Sequence, residues 1–292
     1  MSEFAIKLVR VQKSFGSKAV LRGIDLSVPA GTITGLIGKN GAGKSTMIKC
    51  LLGLLKLDSG TATVFGESSW NLSAQSKQRI GYVPQTMTGF RWMKTETWLE
   101  YASAFYSTWN TQKVKSLLNE WDLDPGARIG RLSEGERQKL SIIQALGHDP
   151  DLFVFDEPVA SLDPIARRQF LKELIDLNMN ENRTMLFSTH ITSDLERVAA
   201  DIAILKNGTL AYQGDLAALQ DRVLRLHIRS NRDLPDSLPI KNAIHSVVNG
   251  SSATVTVNGF EEDEVRNLQE AFSASVSIEH LNLEEIFLEI NR

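Results

Sequence analysis

Eight consecutive residues, Gly38-Lys39-Asn40-Gly41-Ala42-Gly43-Lys44-Ser45, have the types and spacing needed to hold a polyphosphate. The glycines let the backbone curl so that successive N–H groups point inward at phosphate oxygens. Lys44 reaches the terminal phosphates, and the Ser45 hydroxyl can ligate Mg²⁺. The helix expected to follow, on which Thr46 lies, adds its positive N-terminal end. A glycine-rich turn that merely caps a helix is the plainer alternative, and the downstream residues weigh against it.

The run Leu152-Phe153-Val154-Phe155-Asp156-Glu157 delivers two acids at the end of a wholly apolar segment. Such a segment reads as a central parallel strand, and ligands bind beyond the C-terminal ends of those strands. Asp156 can hold Mg²⁺ through water, and Glu157 is placed to orient or deprotonate an attacking water. Without the phosphate loop, these acids would read as the start of an ordinary loop.

The elements that must position these groups alternate strand and helix, which predicts an α/β fold of the P-loop NTPase type. Ile6–Val11 and Ile24–Val28 read as strands about a turn at Phe15-Gly16-Ser17, and Thr32–Ile37 leads into the phosphate loop. Ala42–Leu55 reads as a helix, and Thr61–Phe65 and Ile80–Val83 as short strands. Helical spacing of Leu99, Ala102, Phe105 and Tyr106, then of Val114, Leu117, Leu118 and Trp121, predicts a helical insert over roughly residues 90–145. The insert aromatics Trp98, Tyr101, Phe105 and Tyr106 are expected in its core. Helices Ser133–Gly147, Pro164–Asn178 and Ser193–Ala199 are expected, with a strand at Thr184–Ser188. A hairpin is expected about Lys206-Asn207-Gly208.

The texture changes near Asp221. Strands are expected at Val223–Ile228, His245–Val248, Ala253–Val257 and Val276–His280, and helices at Glu261–Phe272 and Glu284–Ile290. The chain therefore divides into residues 1–220 and a small α+β appendage, 221–292, without a phosphate or metal motif of its own.

Further residues make the resemblance to a family specific. Leu132-Ser133-Glu134-Gly135-Glu136 resembles the Leu-Ser-Gly-Gly-Gln signature of ATP-binding cassette (ABC) ATPases. Ser161-Leu162-Asp163 resembles the D-loop, Ser188-Thr189-His190 the switch histidine, and Val83-Pro84-Gln85 the Q-loop. Phe15 sits where the family places an aromatic that stacks on adenine. These motifs occur in family order over residues 6–220.

The resemblance implies ATP and Mg²⁺, and a head-to-tail dimer closing on two nucleotides. The Ser133 hydroxyl and the Gly135 N–H would complete the γ-phosphate cage in the other subunit, with Asp163 touching that partner. His190 would contact the γ-phosphate and hold the water of Glu157 in line. Gln85 would sense the nucleotide, and it joins Ser45 and Asp156 among the Mg²⁺ candidates. Taken alone, His190, Gln85 and Asp163 would read as a structural histidine, a polar loop residue and a helix cap.

Two signature positions depart from the pattern, at Glu134 and Glu136. Extra carboxylates beside a polyanion are expected to weaken closure unless they face away or pair with a base such as Arg137.

The nearest resemblance within the family is to bacterial antibiotic- and bacitracin-type exporter subunits, carried by Leu283-Glu284-Glu285-Ile286-Phe287-Leu288 and by Phe105–Asn110. It implies a membrane permease as partner, with Gly89-Phe90-Arg91-Trp92-Met93 as a contact patch, and a place at the inner face of the cell membrane. A soluble non-transport cassette protein and a P-loop phosphotransferase are the alternatives. The first would carry a second cassette or a long coiled coil, and the second would lack the signature.

Bulk properties are compatible with this reading. A net charge of −3 over 292 residues gives no pull toward nucleic acid or an anionic membrane. Met1–Val11 lacks the apolar block of a secretory signal, and no apolar run approaches the ~20 residues of a membrane span. The single cysteine, Cys50, fits a reducing compartment and a buried, inert thiol.

Overall fold

The computed structural model describes residues 3–259 and 262–292. Met1, Ser2 and Glu261, the last being the expected first residue of a C-terminal helix, lie outside the described residues. The chain falls into two compact units, Met1–Gln213 and Gly214–Arg292.

In the first unit, β1 (Phe4–Phe15) and β2 (Lys18–Pro29) form an antiparallel hairpin, longer than the two short strands expected. After β3 (Ile33–Gly38) comes α1 (Lys44–Leu51), then β4 (Ser59–Val64) and the two-residue β5 (Glu67–Ser68). Next are α2 (Ala74–Gln78), β6 (Ile80–Val83), α3 (Thr95–Ser103), α4 (Thr111–Glu120) and α5 (Glu134–Gly147). The unit continues with β7 (Leu152–Asp156), α6 (Pro164–Glu181), β8 (Thr184–Ser188), α7 (Thr192–Val198), β9 (Asp201–Lys206) and β10 (Thr209–Asp215).

Two sheets result, with strand orders β2-β1-β4-β5 and β10-β9-β3-β8-β7-β6. In the second, β9, β3, β8, β7 and β6 pair in parallel, as a P-loop NTPase core requires. Every residue of β3, β7 and β8 is buried. That explains why they are predominantly apolar, because a parallel sheet is covered on both faces.

The α1 helix starts at Lys44, two residues later than expected, because Gly43 holds a left-handed φ of 113°. Its Met47, Ile48 and Leu51 share one core with Leu8 and Ile24 of the antiparallel sheet and with Leu36, Val154 and Leu186 of the parallel sheet. Truncating one such residue to alanine costs about 2–5 kcal/mol. The loop ahead of α1 is thus anchored to both sheets.

The insert corrects one expectation. Thr95, Leu99 and Ala102 form the inner stripe of α3, whereas Tyr101 is 44% and Phe105 62% exposed. Tyr101 lies off that stripe, and Phe105 follows the end of the helix, where helical spacing no longer fixes its direction. The exposed rings instead form a chain: Phe90 lies 5.8 Å from Trp92 and 6.2 Å from Tyr101, and Tyr101 lies 5.2 Å from Phe105. Trp98 is half-buried and donates from Nε1 to Gln144 at 2.7 Å.

The second unit contains α8 (Leu216–Arg222), β11 (Val223–Ser230), β12 (Ala243–Asn249), β13 (Ser252–Asn258), α9 (Glu262–Phe272), β14 (Ala274–His280) and α10 (Leu283–Ile290). Its antiparallel sheet has the order β12-β13-β11-β14. Leu224, Leu226 and Ile228 of β11 share a core with Val255, Val257 and Leu268. Arg225 alternates with them and so points to the other face.

There Arg225 lies 3.2 Å from Glu279, 3.1 Å from Glu285 and 3.4 Å from the buried Glu289, fastening α10 to the sheet. Arg225→Ala leaves Glu289 with Arg292 at 3.2 Å and His245 at 3.8 Å. The expected loss is about 1–3 kcal/mol, below the full cost of orphaning a buried charge. Amide hydrogen exchange should show it as faster exchange confined to α10 and its sheet contacts. Uniform protection in the variant would refute the fastening role.

Candidate functional site

The phosphate loop is built by close backbone approach. A Cβ on Gly38 would meet the Leu205 carbonyl oxygen at 2.6 Å, and Gly41 has a φ of +81° that side chains disfavour. Lys44 opens α1 with its side chain folded back over the loop. Its Nζ donates to the Gly38 carbonyl at 2.8 Å and lies 3.2 Å from Glu157 Oε1.

The acids are set by strand register. Asp156 of β7 pairs with Ser188 of β8. The Ser188 hydroxyl donates to Asp156 Oδ1 at 3.0 Å and accepts the Glu157 N–H at 3.0 Å. Ser45 Oγ donates to the same Asp156 oxygen at 3.1 Å, which ties the phosphate loop to the strand end. Below them Phe155 packs edge-on against Phe170 at 5.2 Å and against Phe187 at 6.4 Å, so the acids sit on a fully buried aromatic cluster.

Glu157 takes a left-handed φ of 52°. For a non-glycine residue this costs of order 1 kcal/mol and persists only where its surroundings hold it. The Ser188 carbonyl and hydroxyl both take its N–H. The bend turns its carboxylate toward Lys44, and its other oxygen lies 3.1 Å from His190 Nδ1.

Burial pushes the Asp156 carboxyl above the usual carboxylate range. The hydroxyl bonds from Ser45 and Ser188 oppose this, the Glu157 charge adds to it, and Lys44 opposes it. A carboxylate held unfavourably in this way gains from a cation. Ser45 Oγ and Asp156 Oδ1 are hard oxygen donors lying together, which fits Mg²⁺. Among the described residues no cluster of three or more His, Cys, Asp or Glu side chains could form an all-protein metal cage.

Asn40, Gly41, Gly43, Lys44, Ser45, Thr46, Gln85 and Glu157 line one cavity of about 370 Å³. Gly38, Lys39 and Ala42 belong to the same loop without lining it. Gln85 is exposed at the rim. Phe15 is 51% exposed at the hairpin tip, where it pairs with Lys18. Lys18 and Val20 also line the cavity, and the sequence reading missed both. A base three residues beyond Phe15 on the same hairpin was the available signal.

Ser133, Gly135 and Asp163 do not line this cavity. Ser133 caps α5, and a Cβ on Gly135 would meet the Ser161 carbonyl oxygen at 2.7 Å. Asp163 caps α6, accepting the N–H groups of Ile165 and Ala166, each at 2.9 Å. Those backbone bonds, that from Ala166 first, hold its carboxyl below the usual range.

Glu134 is exposed, whereas Glu136 is half-buried and makes no hydrogen bond to Arg137. It pairs with the Ser133 backbone, while Arg137 turns its guanidinium to the Leu132 carbonyl. Ser-x-x-Glu ahead of an apolar run is the sequence sign of that arrangement, and it went unread.

A family model described as "ABC transporter" matches residues 21–160. The chain is 37% identical over 226 residues to the Nod factor export ATP-binding protein I of Rhizobium sp. (strain N33), covering 75% of this chain and 73% of that protein. It is 34% identical over 211 residues to the ABC transporter ATP-binding protein NatA of Bacillus subtilis (strain 168), covering 70% of this chain and 85% of that protein. Among solved structures, the ATP-binding subunit of an ABC transporter superposes with a TM-score of 0.67 at 28% identity, over 74% of this chain and 92% of that one. With a phosphate loop, paired acids and histidine on a cassette fold, and relatives of this identity and coverage, the chain belongs to the ABC transporter ATP-binding proteins and is an ATPase subunit.

Proposed function

We propose that this chain hydrolyses ATP in a closed dimer and so drives export through a separate membrane permease, to which it docks at the inner face of the membrane. The observation that carries the reading is one cluster at a cavity lined by Lys44, Ser45 and Glu157: Lys44 and His190 contact Glu157, Ser45 bonds Asp156, and the Ser188 hydroxyl bridges Asp156 and the Glu157 N–H. Lys44 and the loop amides bind the phosphates, and Phe15 stacks on the base. Ser45 and Asp156, with Gln85 at the rim, would hold Mg²⁺, which would neutralise phosphate charge. Glu157 takes a proton from the attacking water, and His190, in contact with Glu157, keeps its carboxylate aimed.

Ser133, Gly135 and Asp163, which do not line the cavity of their own chain, serve the site of a second subunit. Residues 221–292 form an accessory domain. Two supports favour export: likeness to a protein named for Nod factor export, and the exporter-like helix at Leu283–Leu288.

The test is Mg²⁺-dependent phosphate release by the purified chain, with capture of a multi-spanning membrane protein from its native cells. The exposed chain of Phe90, Trp92, Tyr101 and Phe105 supports the docking role, because exposed aromatics anchor interfaces. Trp92→Ala is expected to weaken permease capture by roughly tenfold or more while ATP binding by the isolated chain is retained. Equal capture by the variant and the parent would remove this patch from the interface.

A further inference from the structure

This inference rests on the reading that the start of α5 meets the γ-phosphate of a nucleotide held by a second subunit. In this chain that helix start is already engaged by a carboxylate. Ser133 Oγ accepts the Glu136 N–H at 3.2 Å, and Glu136 Oε2 accepts the Ser133 N–H at 2.7 Å. This reciprocal capping box satisfies two N–H groups that a helix otherwise leaves open. The bonds from Ser133 also hold the Glu136 carboxyl below the usual range, so it stays an anion.

The positive end of a helix attracts this carboxylate for the same reason that it attracts a phosphate. Glu134 adds a second negative charge in the same turn. The bases nearby direct their hydrogen bonds elsewhere. Arg137 donates to the Leu132 carbonyl, and Lys139 donates to the Trp121 carbonyl at 3.1 Å and lies 3.7 Å from Asp163.

We propose that Glu136 is a brake on ATP-driven closure: its carboxylate, fixed by the capping box at the start of α5, opposes the γ-phosphate that must approach Ser133 Oγ and the Gly135 N–H. The residue touches none of the reacting atoms and acts on the closing equilibrium. The resting chain then stays open at ATP concentrations that already fill its own phosphate loop.

Glu136→Gln separates charge from structure, because glutamine also serves at this position of a capping box. The measurement is sedimentation of the full chain, carrying Glu157→Gln to stall hydrolysis, across ATP and salt concentrations. Glu136→Gln is expected to reach half-maximal dimer at a protein concentration at least about tenfold lower, with an unchanged melting temperature. The gap should narrow at high salt, where charge repulsion is screened. An equal or weaker dimer, including no dimer in either protein, overturns the proposal. Ser133→Ala tells the two layers apart. If it abolishes the dimer while Glu136→Gln changes nothing, only the brake fails. If it leaves the ATP-dependent dimer intact, the signature reading itself fails.

Discussion

Glu157→Gln is expected to bind ATP at least as tightly as the parent, since the carboxylate that competes for Lys44 is gone, and to lose about 10²–10⁴ in turnover, the span associated with a positioned general base. The substitution keeps shape and removes both the ability to take a proton and the negative charge that faces Lys44. The 3.1 Å contact with His190 and the paired N–H bonds to Ser188 hold the side chain in place, so its backbone bend is not expected to relax. Steady-state phosphate release measures the loss, and nucleotide titration measures the retained affinity. Turnover at the parent's rate would show that another group activates the water.

Lys44→Ala is expected to weaken ATP binding by about 10²–10³, since truncating one partner of a buried, hydrogen-bonded charge pair costs 2–5 kcal/mol or more. Lys44 is 5% exposed, and its ammonium is the positive charge that the structure aims over the loop. The same change leaves Glu157 with only His190, so the variant is also expected to melt lower. Calorimetric titration with ATP, set beside a thermal melt, checks both effects. An unaltered affinity would mean that the loop amides alone carry the phosphates.

Much of this was legible in the sequence because its signals are local. The glycine spacing of 38–45 can only be a tight loop, and the apolar run 152–155 can only be a covered strand. The contact between Lys44 and Glu157 was not legible, because it depends on the φ of 52° at Glu157, which no pattern encodes. The outward rings of Tyr101 and Phe105 were misjudged for a related reason. Periodicity tells which residues share a stripe, while a neighbouring loop, here Phe90, decides whether a second stripe is also occupied. Ser133-x-x-Glu136 is legible as a capping box, because a glutamate at the third position of a helix can return to the N-cap backbone N–H.

The ion pair between Lys44 and Glu157 means that the lysine proposed to bind phosphate already has a counter-ion of its own. Any arriving anion must displace that carboxylate before it gains the ammonium. Chloride and orthophosphate offer one weak exchange and little else. A nucleoside triphosphate brings a chain of phosphate oxygens to the loop amides at the same moment, so its total gain exceeds what the carboxylate gives up. The internal carboxylate is therefore expected to disfavour single small anions more than polyphosphates.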